Sequence, residues 1–242
     1  MNRTYHAWHS PNLGRTLELL VFGHSGARVL IFPTRAGRFY DYENWGMIEA
    51  LRPKIEQGQL QLFCLDSVDA SSFYCDWCAP ADRIAYHLRY EAYLLHEVLP
   101  FTQLVNPHTA LISHGCSMGA FHALNFGLRH PQHVAKIVAL SGRYDLTQPV
   151  GDFRDLFDGY YSEDIYFNTP SHYVPNLQDA AYLVYLRGLD ITIIIGEADP
   201  FLENNQQLSQ ALWDKGIWHN FQIWSGRSHK PRHWVKMVHL YL

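Results

Sequence analysis

Short, almost wholly apolar runs alternate with amphipathic segments along most of this chain, and that alternation limits the folds open to it. The runs are Leu60–Leu65, Thr109–Ser113, Lys136–Leu140, Ile191–Ile195 and Phe221–Trp224. Apolar towards both faces, they read as parallel strands covered by helices above and below. Between them, Pro80–Leu99 carries Ile84, Leu88, Ala92, Leu95 and Leu99 at helical spacing and is predicted to stop at Pro100. Met118–His130 is a second predicted helix. Glu203–Lys215, which ends at Gly216, is a third. Upstream, Leu17–Phe22 and Val29–Phe32 flank Gly23-His24-Ser25-Gly26, a turn suited to a hairpin. The pattern predicts one α/β domain over residues 1–242, with a mostly parallel central sheet, an antiparallel N-terminal hairpin and helices on both faces. Residues 145–188 break the rhythm and read as an insertion. Its aromatics, among them Phe153, Phe157, Tyr160, Tyr161, Tyr166, Phe167 and Tyr173, suit either a cleft wall or a packed excursion.

Composition removes several classes. Apolar residues at 48% and charged residues at 17% supply a core and exclude disorder. A net charge of −4 offers no footprint for nucleic acid or for an anionic membrane surface. No run approaches the length of a membrane span, and the N-terminal MNRTYHAWHSPNLG lacks a signal-peptide pattern, so a cytoplasmic location is expected. Four cysteines are too few for a disulfide framework. Cys75 and Cys78 form a CxxC, but no second ligand pair has zinc spacing and the surroundings read as loop. Free thiols are expected there.

The sharpest local signal is Gly115-Cys116-Ser117-Met118-Gly119, which follows the strand at 109–113 and opens the helix at 118. A strand–turn–helix of this kind presents a serine hydroxyl at a strained turn, with glycines where neighbouring backbone crowds in. The helix N-terminal amides then point at any developing negative charge. Serine needs a base, and the base needs an orienting acid. Asp199 lies just beyond the strand at 191–195, and His229 follows the strand at 221–224. Open α/β sheets place functional groups at such carboxyl ends. Glu197 is an alternative acid, better placed to cap. His233 is an alternative base, one turn into the last helix. His114, before the turn, is either a site residue or a structural one.

Ser117 in its elbow, Asp199 after IIIGEADP and His229 after IWSGRS resemble the esterase D-like branch of the α/β hydrolases. That branch includes S-formylglutathione hydrolases, feruloyl esterases, enterochelin esterases and mycolyltransferases. The segments VLIFPT, DYENWGM, FHALNFGLRHP, VALSGRYD and DPFLENN extend the likeness over nearly the whole chain, which is most similar to small bacterial esterase-like proteins. The resemblance implies the α/β-hydrolase fold, with Ser117 as nucleophile, Asp199 as acid and His229 as base. It implies oxyanion-hole amides from Met118 and from the backbone of Arg35. The loop Thr34-Arg35-Ala36-Gly37 departs from the glycine- or serine-rich turn of many relatives, and the Arg35 side chain could face an anionic substrate or form a surface ion pair. Lys230-Pro231 stands where the family has Asp-Trp, with Trp234 keeping the register.

The implied activity is carboxylic ester hydrolysis through an acyl-enzyme, rising with pH as the imidazole loses its proton. No metal or organic cofactor is required, and the expected partner is a small-molecule ester. An acyltransferase, a thioesterase or a binding protein that keeps the fold are the alternatives. A homo-oligomer stays open.

Overall fold

The chain begins with two antiparallel strands, β1 (Arg3–Ser10) and β2 (Arg15–Phe22), paired from Arg3 opposite Phe22 to Ser10 opposite Arg15. This computed structural model describes residues 1–242. There follow β3 (Ala27–Phe32), α1 (Asp41–Asn44), α2 (Met47–Glu56), β4 (Leu60–Leu65), α3 (Pro80–Tyr93), α4 (Leu99–Val105), β5 (Leu111–Cys116), α5 (Met118–Arg129) and β6 (Lys136–Leu140). The last part holds α6 (Glu163–Phe167), α7 (Pro170–Tyr173), α8 (Ala180–Arg187), β7 (Asp190–Gly196), α9 (Leu202–Asp214), β8 (His219–Trp224) and α10 (Pro231–Tyr241). One sheet results, in the order β1-β2-β4-β3-β5-β6-β7-β8. β2 is antiparallel to β1 and β4, and every other pairing is parallel.

Alternation within each strand assigns side chains to the two faces. Leu30, Phe32, Ile137, Ala139, Ile191 and Ile193 point into one core with residues of α3, α5 and α9. Val29, Ile31, Val138, Leu140 and Ile194 point into the other, under α2 and α10. Both layers are thus covered. No helix is long and apolar enough to cross a membrane.

Three expectations change. The hairpin lies between β1 and β2, because β4 inserts between β2 and β3. The turn at Gly23–Gly26, positive in φ at both glycines, therefore leads to a strand two places away. The helix from Pro80 does not end at Pro100. A π-helical turn at Leu94–Val98 carries the chain into α4, where Pro100 occupies the first turn and needs no N–H partner. Cys75 and Cys78 are joined as a disulfide, whereas Cys64 and Cys116 are free and buried. That bond removes free thiols as support for a cytoplasmic location.

The segment 145–188 adds no strand to the sheet. Its Leu156, Phe157 and Ile165 are buried with Phe73, Met118 and Phe121, beside the first turn of α5. Full burial of such side chains contributes about 2–3 kcal/mol each.

Candidate functional site

The elbow is built from close backbone approaches. A Cβ at Gly115 would lie 2.2 Å from the Gly119 carbonyl oxygen, and one at Gly119 would lie 2.2 Å from that of Phe32. Only glycine fits at either place. Between them Ser117 takes φ 58° and ψ −121°, a conformation that L-residues hold at a cost of about 1–3 kcal/mol. Its N–H donates to Leu140 O at 2.8 Å, which ties the turn to the end of β6.

His229 arrives by an equally tight route. The loop after β8 has positive φ at Gly226 and Ser228, and a Cβ at Gly196 would lie 2.1 Å from Arg227 O. Glu197 fastens this loop, its Oε1 accepting from the Gly226 N–H (2.9 Å) and the Ser225 hydroxyl (3.1 Å). Behind the loop, Trp234 Nε1 donates to Ser141 Oγ, and Ser141 Oγ donates to Ser228 O. The rings of Trp234 and Phe201 flank the imidazole at 5.6 and 6.4 Å between centroids.

Three predicted side chains then meet. His229 Nδ1 lies 2.7 Å from Asp199 Oδ2, and Nε2 lies 2.8 Å from Ser117 Oγ. A carboxylate only accepts, so Nδ1 carries the proton and Nε2 of the neutral ring is the acceptor for the serine hydroxyl. Asp199 is buried, and its other oxygen accepts from Phe201 N at 3.0 Å. Glu197 caps a loop instead of meeting the imidazole. His233 pairs with its neighbour Arg232 away from Ser117. His114 is fully buried behind the elbow, between Val138 O (2.7 Å) and the Tyr42 hydroxyl (2.8 Å), where burial pulls it down to about 4. Its role is structural.

Met118 opens α5, so its N–H has no intrahelical acceptor. The Arg35 N–H likewise has no acceptor in the protein, while the next amide, Ala36 N, donates to Asp69 Oδ2 at 3.2 Å. Asp69 Oδ1 in turn accepts from His122 Nε2, on α5 (2.9 Å). This buried link couples the loop after β3 to the helix behind Ser117. Sequence reasoning missed both residues, since nothing local pairs positions so far apart.

Ser117, Met118 and His229 open into a cavity of about 350 Å³ that Thr34, Arg35, Trp45, Tyr74, Phe153 and Phe201 also line. Of the aromatic insertion residues only Phe153 reaches it. Phe157 and Tyr173 are core, and Tyr160, Tyr161 and Phe167 are exposed. Arg35 stacks over Tyr74 at 5.2 Å and forms no surface ion pair. Burial raises the Tyr74 hydroxyl above its ordinary value, against the pull of Arg143 and Arg35.

Residues 27–233 match the alpha/beta hydrolase fold family. The chain belongs to that family. Among solved structures it is similar to a ferulic acid esterase, at 16% identity and a TM-score of 0.76 over 100% of this chain and 96% of the other. It is similar to the S-formylglutathione hydrolase of Staphylococcus aureus, at 17% identity and 0.71 over 98% and 96%. The S-formylglutathione hydrolase of Agrobacterium tumefaciens gives 15% and 0.75 over 98% and 91%. A search of curated proteins found no match. At these identities the likeness is one of fold.

Proposed function

We propose that this alpha/beta hydrolase is a serine esterase that cleaves carboxylic esters through an acyl-enzyme. The observation that carries the reading is the continuous relay Ser117 Oγ, His229 Nε2, His229 Nδ1 and Asp199 Oδ2, at 2.8 and 2.7 Å, opening into a cavity. Ser117 Oγ attacks the ester carbonyl as His229 Nε2 takes its proton. Asp199 holds the tautomer and stabilises the imidazolium. The Met118 and Arg35 amides receive the oxyanion, each such donor being worth about 3–4 kcal/mol of barrier. His229 returns its proton to the departing alkoxide, and water then repeats the sequence on the acyl-enzyme. The similar structures are named as an esterase and as S-formylglutathione hydrolases, and cleavage of an ester or thioester carbonyl agrees with this chemistry.

The test is hydrolysis of p-nitrophenyl acetate, butyrate and octanoate by wild type and Ser117→Ala. The expected result is turnover by wild type and a loss of about 10⁴-fold or more in the variant. Equal rates in the two proteins would remove Ser117 from the mechanism.

A further inference from the structure

Three arginines line the cavity in front of Ser117: Arg35, Arg143 and Arg227. The guanidinium groups of Arg35 and Arg143 lie over the rings of Tyr74 and Phe201, which line the same cavity. None of the three forms an ion pair, and no carboxylate lines that cavity. Arg143 is the telling member, because it is only 5% exposed. Its Nε and Nη2 donate to the carbonyl oxygens of Asp145, Leu146, Gln148 and Arg154, and Nη1 has no partner in the protein. Asp145 and Asp155 act on this cation without pairing with it. A buried cation with no ion-pair partner is costly, and an anion at Nη1 would offset that cost. Arg35, Tyr74, Arg143 and Phe153 also line an adjoining cavity of about 280 Å³. There Arg154 is engaged by Asp76, and Asp152 stands at the exposed rim.

Resting on the esterase reading, we propose that the ester taken by this site carries a second, anionic group of the carboxylate class, bound by Arg143 Nη1 with Arg35 and Arg227. The planar guanidinium fork matches a carboxylate through paired N–H donors, and enclosure strengthens the contact. The aromatic faces of Tyr74 and Phe153 cover the carbon chain between the anion and the scissile carbonyl.

Two substrate pairs test this, one for each side of the ester bond. Monoethyl adipate against diethyl adipate puts the charge on the acyl part, and 4-acetoxybenzoate against its methyl ester puts it on the leaving group. With each kcat/KM divided by the ester's rate with hydroxide, wild type is expected to favour the anionic member of at least one pair by about tenfold or more. The double variant Arg35→Gln/Arg227→Gln is expected to lose about tenfold of that ratio. Arg143 is left in place because it also ties its own loop. Equal or inverted preference in both pairs would overturn the proposal. Ligand-observed NMR on Ser117→Ala separates this from the esterase reading. Tighter binding of the anionic member of at least one pair supports the anion subsite even if no ester is turned over, and equal binding within both pairs overturns it.

Discussion

The elbow and its flanking loops differ from the 145–188 segment in what holds them. Around Ser117, backbone meets backbone. At Gly115, Gly119 and Gly196 a Cβ would lie only 2.1–2.2 Å from a carbonyl oxygen, and the atoms that meet across the site are fixed by main-chain turns. The insertion is held by side chains instead. Arg143 gathers its carbonyls, Asp145 accepts from Thr147, Gln148 and His172, and Leu156, Phe157 and Ile165 seal it onto α5. The atoms of the proposed relay are thus placed by geometry that only glycine permits, whereas the cavity wall is placed by contacts that many sequences could supply.

A pair of glycine substitutions challenges that contrast most severely. Gly119→Ala is expected to cost about 3 kcal/mol or more and at least about 100-fold in kcat/KM, since neither Phe32 O nor the helix can yield freely. Gly151→Ala, with φ 55° and open space around it, should cost about 1–2 kcal/mol through backbone strain alone and leave kcat unchanged. Urea unfolding with parallel kinetics reads both. Equal losses would erase the distinction.

Acid sharpens the same comparison. Burial pulls His114, behind the elbow, from about 6.5 to about 4, and pulls His87, hydrogen-bonded to Asn168 of the insertion, to about 3. Each remains neutral in the fold while the unfolded chain takes up a proton, so the stabilisation is complete above pH 6.5 and falls as pH drops towards the folded values. The loss is expected to reach about 3 kcal/mol at most per group by pH 4, read as unfolding free energy against pH. A flat profile between pH 6.5 and 4 would contradict the neutral assignment. Asp145 acts lower. Burial would raise it, but bonds from His172 and Thr147 outweigh that and hold it at about 2, so its contribution fades only as pH falls from about 4 through 2.

Smaller effects follow. Asp69→Asn weakens the tie from Ala36 N to His122 and is expected to lower kcat about tenfold with KM little changed, because it would displace the Arg35 amide proposed to receive the oxyanion. An unchanged kcat would detach that link from the site. Phe153→Ala, at the cavity wall, should raise KM several-fold, whereas Tyr161→Ala, on the exposed side of the same insertion, should shift stability by about 0.5 kcal/mol or less.

The sequence was legible where local geometry restricts residue choice. Gly115 and Gly119 announce the elbow because no other residue fits, and Asp199 and His229 follow strands whose apolar runs are unmistakable. It was illegible where partners are distant. The turn at Gly23–Gly26 has the chemistry of a hairpin, and only the arrival of β4 some forty residues later decides otherwise. β1 escapes notice because this edge strand is exposed at five of its eight positions. Pro100 reads as a stop until the π turn before it restarts the helix. Arg143 looks like any surface arginine until residues 145–154 fold around it.

Ser117 is the proposed nucleophile, activated by His229. Intact-protein and peptide mass spectrometry after reaction with an alkyl fluorophosphonate tests it directly. One adduct, mapped to Ser117, absent from Ser117→Ala and formed at least about 100-fold more slowly in His229→Asn, is the predicted result. An adduct on another residue, or equal labelling of wild type and Ser117→Ala, would contradict it.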